Sequence, residues 1–157
     1  MNRSLINVRM CQVEIGHGDT DLVALLGSCV GIGLIWEDRG ICGLAHCLLS
    51  SSKQATHVIG AKHVDQALYS LEMLMGISDY SNVRAVLVGG ANMTIQGGHK
   101  ARDMIGDRNI ESAVEELSKR NVIISQQDTG GIAGRKLKIN CQTRQVSVSK
   151  IPRIEAA

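Results

Sequence analysis

The order of segments along this chain predicts an α+β fold, a compact α/β sandwich of mainly antiparallel strands with two main helices. Three observations carry the prediction. Short alternating or β-branched runs occupy both ends of the chain, apolar stripes of helical spacing occur only twice, and two pairs of strand-like segments are joined by tight turns. At 157 residues the chain has the size of one domain, spanning 1–157, and can bury a core without metals or disulfides.

Ile6, Val8 and Met10 alternate with Asn7 and Arg9 and predict a first strand, ending at the turn-rich "GHGDTD" of 16–21. A second apolar run, Leu22 to Leu26, leads into Gly27-Ser28-Cys29. Val30 to Trp36 and Ile41 to Leu49 flank the polar "EDRG" and read as a hairpin. Between 61 and 75, Val64, Ala67, Leu68, Leu71 and Met75 share one helical stripe, with Gly76 placed to stop it. "VRAVLV" at 83–88 is a buried strand running into Gly89-Gly90. Ile110, Ala113, Val114 and Leu117 mark a second helix with Asn109 as N-cap. Strands at 121–125, 135–140 and 145–151 complete the order, the last two joined by a tight turn.

Composition narrows the function classes. Seventeen Lys and Arg against 15 Asp and Glu leave a net charge of +2, too small for a general pull toward nucleic acid or anionic membrane. Trp36, Tyr69 and Tyr80 are the only aromatic rings, which argues against stacking platforms for single strands. No apolar run approaches a membrane span and no signal-peptide pattern opens the chain, so a cytoplasmic protein that is not membrane-embedded is expected. The five cysteines, at 11, 29, 42, 47 and 141, are odd in number and irregular in spacing, which favours reduced thiols.

Chemistry concentrates in "LLGSCVGIG" at 25–33. If the "EDRG" loop has two or four residues, Trp36 lies opposite Ile41, Cys29 falls opposite Leu48, and His46 becomes the diagonal neighbour of Cys29 on one face. A loop of three or five residues sends His46 to the other face. An imidazole beside a thiol can take its proton or stabilise the thiolate, the nucleophilic form. Glycines around Cys29 admit a substrate chain, and the amides of the Gly27-Ser28-Cys29 turn offer an oxyanion hole. On composition alone, the same two residues also read as a small core hydrophobe and a satisfied buried histidine.

Other patterns are weaker. "GSCVG" matches a nucleophile elbow, but strand rather than helix follows it. Cys42, His46 and Cys47 do not share one strand face, so no metal site is expected there. "DTGGIAGRK" at 128–136 lacks the ending of a P-loop and reads as a tight strand connection braced by Asp128 or Arg135. His57, His63 and His99 read as surface residues.

Five segments occur together in one order: "LGSCVG" at 26–31, "GLAHCLL" at 43–49, "GGANM" at 89–93, "IGDRNI" at 105–110 and "DTGGIAGRKLKI" at 128–139. Together they resemble the CheD-type chemoreceptor glutamine deamidases of bacterial and archaeal chemotaxis. The resemblance implies a fold related to the cytotoxic necrotizing factor-like cysteine hydrolases, with Cys29 as nucleophile and His46 as its histidine. The family's third catalytic position, usually Thr, falls on Val23. There a backbone carbonyl could orient the ring as well as a side chain could, with Thr20 as the alternative. Ser50, the "LVGGA" segment and Arg144 also depart from the family pattern.

The activity implied is hydrolysis of protein glutamine side-chain amides to glutamate, with no metal or organic cofactor. The partners implied are the cytoplasmic helices of chemoreceptors and a CheC-type phosphatase, with the nucleophile in a shallow groove. Two other classes stand beside it: a docking module of weak catalysis, motivated by Val23, and a redox sensor pairing Cys29 with Cys42 or Cys47.

Overall fold

A computed structural model describes residues 3–52, 57–92 and 104–151. Among these the elements are β1 (Ser4–Asn7), β2 (Val13–His17), β3 (Thr20–Leu26), β4 (Val30–Trp36), β5 (Ile41–Cys47), α1 (Val64–Met75), β6 (Val83–Gly89), α2 (Ile105–Lys119), β7 (Ile123–Thr129), β8 (Gly134–Asn140) and β9 (Val146–Ile151). They form a four-stranded sheet, β1-β3-β8-β9, and a five-stranded sheet, β2-β5-β4-β6-β7. Neighbours are antiparallel except β1 with β3 and β6 with β7. The α+β expectation holds at this level.

Strand β4 shows why the layers stack as they do. Val30, Ile32 and Leu34 turn one way, into a cluster with Val64, Leu68 and Leu71 of α1 and Ala113 and Leu117 of α2. Ile35 turns the other way and, with Cys42 and Leu44 of β5, meets Leu22, Ala24, Leu26, Leu137 and Ile139 of the four-stranded sheet. A strand covered on both faces needs apolar or small residues at consecutive positions, which "VGIGLIW" supplies. The result is three layers: helices, five-stranded sheet, four-stranded sheet.

α1 ends as its sequence predicts. Gly76 adopts the left-handed conformation (φ 76°) and its N–H bonds to the Glu72 carbonyl, as does the N–H of Ile77, closing the last turn. The "EDRG" segment is a 3-10 turn, Glu37–Arg39, closed by left-handed Gly40.

Three predicted elements differ. The first strand is two strands in different sheets, broken where Cys11 takes a left-handed conformation (φ 70°); alternation alone cannot signal such a break. The second helix begins at Ile105, so Asn109 is not its N-cap but a residue of its second turn, 1% exposed. β7 runs on to Thr129, and the glycine loop after it is correspondingly short, with Gly130 and Gly131 both left-handed. Arg135, 4% exposed, braces that loop by donating to the carbonyls of Gly130 and Ala133 and to Asp128 Oδ1. No helix among the described residues is long and apolar enough to cross a membrane.

Candidate active site

The 3-10 turn gives the β4–β5 hairpin a four-residue loop, and the register follows from it: Trp36 lies opposite Ile41, Gly31 opposite His46 and Val30 opposite Cys47. Side chains alternate along β5. Leu44 and Cys42 face the four-stranded sheet, whereas Ala45 and Cys47 face the helices. His46 therefore points into the inter-sheet layer, the layer to which Cys29 belongs. Its cross-strand partner is a glycine, whose missing side chain leaves the space beside the ring to Leu26 and Leu137.

The imidazole is held by a backbone carbonyl. His46 Nδ1 lies 2.9 Å from the oxygen of Val8. A carbonyl only accepts, so the hydrogen of the neutral ring sits on Nδ1 and the lone pair on Nε2. The Val23 carbonyl, expected to hold the ring, instead accepts the Val8 N–H at 2.7 Å, one peptide further from the imidazole. Thr20 is committed elsewhere, its hydroxyl donating to the His17 carbonyl at 2.8 Å. The turn at Cys11 brings Val8 here, and the same turn is tied to the histidine strand by a Cys11 N–H to His46 O bond of 2.8 Å.

The nucleophile candidate sits in a turn whose carbonyls are all anchored. Gly27 O accepts from Ala91 N–H at 3.0 Å and Cys29 O from Gly90 N–H at 2.9 Å, while Ser28 O accepts from Asn109 Nδ2 at 3.0 Å. No acceptor among the described residues takes the amides of Gly27 or Ser28. Gly89 makes the approach feasible: it has φ +108°, and a Cβ there would lie 2.4 Å from the Cys29 carbonyl oxygen. Gly27 and Ser28 are half-buried. Cys29 and His46 are 4% and 5% exposed, so the thiol is nearly covered rather than set along an open groove.

Burial sets the charge state of both groups. It pushes the Cys29 thiol up to about 11, Cys11 nearby adds to the shift, and the amide of Cys29 itself opposes it. Burial also lowers the His46 imidazole below its ordinary 6.5, against the opposing effect of the Val8 carbonyl. At neutral pH the resting pair is a thiol and a neutral imidazole.

The remaining sequence candidates separate. Cys42 packs with Cys141 between the sheets, while Cys47 faces the helices. All five cysteines are free. His57 is exposed, His63 is half-buried with Nδ1 2.9 Å from the Ser50 carbonyl, and Met93 and His99 lie outside the described residues. No group of three His, Cys, Asp or Glu side chains among the described residues could hold a metal ion. Sequence reasoning missed Val8, because its role depends on the unannounced turn at Cys11. It misassigned Asn109, although the "IGDRNI" segment that contains it stood out.

Residues 47–150 match the family described as CheD chemotactic sensory transduction. The chain is 36% identical to a probable chemoreceptor glutamine deamidase of Ruegeria sp., covering 96% of this chain and 94% of the relative. It is 31% identical to a probable chemoreceptor glutamine deamidase of Bdellovibrio bacteriovorus, covering 94% and 95%. With the chemoreceptor glutamine deamidase of Halalkalibacterium halodurans it shares 30% identity over 88% of this chain and 93% of that protein.

Proposed function

Because this chain belongs to the CheD family, we propose that it is a chemoreceptor glutamine deamidase in which Cys29 is the nucleophile and His46 the general base. The observation that carries the residue assignment is the Val8 carbonyl on His46 Nδ1, which leaves Nε2 as a lone pair in the layer that holds Cys29.

The reaction begins from the neutral pair. As Cys29 Sγ attacks the carboxamide carbon of a receptor glutamine, Nε2 of His46 takes the thiol proton. The carbonyl oxygen gains negative charge and is stabilised by amides of the Gly27-Ser28-Cys29 turn. Collapse of the tetrahedral intermediate breaks the C–N bond, and His46 returns the proton to the leaving ammonia. Water, deprotonated by the same nitrogen, then cleaves the thioester, releasing glutamate and restoring the thiol. Because the thiol is held above neutrality, proton transfer accompanies attack instead of preceding it.

The substrate is a glutamine on a cytoplasmic receptor helix, and the protein acts in the cytoplasm. A CheC-type phosphatase is a second partner at the same face. The finer fold assignment belongs to this reading as well: two stacked sheets with helices on one outer face, as in the cytotoxic necrotizing factor-like cysteine hydrolases. Val23 motivates the docking-module alternative; against it, the Val8 carbonyl accepts the ring hydrogen that a threonine side chain at position 23 would take.

The test is deamidation of receptor cytoplasmic fragments, followed by the mass gain of replacing NH2 with OH. Wild-type protein converts glutamine. Cys29→Ala and His46→Ala bind the fragment and lose turnover, by about 10²-fold or more for the histidine. Turnover that survives Cys29→Ala removes the nucleophile assignment, and binding without turnover by wild-type protein favours the docking module.

A further inference from the structure

We propose that Asn109 is a positioning residue of this hydrolytic centre, its carboxamide setting the direction of the Ser28–Cys29 peptide and tying it to the strand that carries His46. The inference rests on the assignment of Cys29 as nucleophile.

One nitrogen, Asn109 Nδ2, donates to Ser28 O and to Leu48 O, each at 3.0 Å. Ser28 immediately precedes the nucleophile, and Leu48 lies two residues beyond His46. The side chain thus bridges the hairpin just past its last paired residues, Val30 and Cys47. Backbone amides hold the carbonyls on either side of Ser28, at Gly27 and Cys29, and most residues could supply such an amide. The Ser28 carbonyl alone depends on a side chain.

A trans peptide directs its C=O and N–H to opposite sides. Fixing Ser28 O toward α2 therefore turns the Cys29 N–H away from the helix. That amide opposes the upward push of burial on the Cys29 thiol, so an N–H turned this way can stabilise the thiolate or a developing oxyanion. Without Asn109 this peptide is free to rotate, and its donor loses its aim.

Two further observations support a dedicated role. Among the described residues Asn109 Oδ1 is buried with no partner; a buried polar atom left unpaired is unfavourable, so the amide is held with its nitrogen toward the two carbonyls at a cost. The helix is also set against the turn, since a Cβ on Gly106 would lie 2.3 Å from Gly90 O and 2.6 Å from Ala91 O. Asn109 stands one turn further along that helix.

The experiment compares wild type with Asn109→Asp, which keeps the shape and removes the donors, and with Asn109→Ala. Readouts are kcat and KM for receptor-fragment deamidation, and the pH dependence of Cys29 alkylation by iodoacetamide, resolved by peptide mass spectrometry. The expected result is a kcat lowered roughly tenfold to a thousandfold with KM within about threefold, and an alkylation profile displaced to higher pH. Folded variants with unchanged kcat and alkylation overturn the proposal. So does loss of kcat and KM together with the circular dichroism signal in both variants, which makes Asn109 structural only. Deamidation that persists in Cys29→Ala would instead refute the nucleophile, and the alkylation arm reads the Asn109 clamp without reference to it.

Discussion

At the residue scale, burial keeps two groups neutral. Cys29, raised from 9.0 to about 11, favours the protonated thiol in the folded chain. Its contribution to stability is present below pH 9 and is lost as pH rises through about 11. His46, lowered from 6.5, favours the neutral ring; its contribution is present above pH 6.5 and is lost as pH falls through the folded value. Urea midpoints measured across pH should decline at both ends, and His46→Gln should remove the acid-side decline attributable to the ring. Iodoacetamide should label Cys29 at pH 8 more slowly than a free cysteine peptide, with the rate still climbing above pH 9; a profile centred near 8.5 would mean an exposed thiol. The shared layer of the two side chains was legible on the reading of a two- or four-residue hairpin loop, which the register bears out, because loop length fixes the face of each side chain that follows. Val8 was not legible, since a non-glycine residue entering the left-handed region leaves no mark in the apolar pattern.

At the element scale, the Gly27–Cys29 turn depends on close packing against Gly89. Gly89→Ala places a Cβ against the Cys29 carbonyl and forces alanine into φ +108°. Chemical denaturation should show a loss of about 2–4 kcal/mol, with deamidase activity lost even where the fold survives. The opposite face behaves differently. Leu71 of α1, fully buried against the five-stranded sheet, should cost about 3 kcal/mol on truncation to alanine while leaving the Cys29 alkylation profile of the folded protein unchanged. α1 was readable because its stripe and its terminal glycine agree. The start of α2 was missed because its first turn, Ile105 to Arg108, carries neither the apolar stripe nor a capping side chain; the apolar period begins at Ile110, and buried Asn109 resembles a cap only when its carbonyl partners in another layer are unknown.

At the scale of the whole molecule, stability comes from three stacked layers rather than covalent staples. With all five thiols free, dithiothreitol should leave the thermal midpoint unchanged; a reductant-dependent fall would mean a disulfide that this structure does not contain. The α+β class and the five family segments were visible in the chain, because alternation, glycine punctuation and motif order are local properties. The division of the nine described strands between two sheets was not, since pairings such as β3 with β8 and β4 with β6 join segments distant in sequence. That division puts β1 and β5 in different sheets and lets the turn after β1 deliver a carbonyl to a histidine on β5. A thioester on Cys29 would be trapped by rapid acid quenching of wild-type protein with a glutamine-containing receptor fragment, then mass mapping of the cysteine peptides. The expected result is a transient adduct on the Cys29 peptide equal to the fragment less ammonia, absent with His46→Ala. Glutamate accumulating with no adduct at Cys29, or at an undiminished rate in Cys29→Ala, would contradict it.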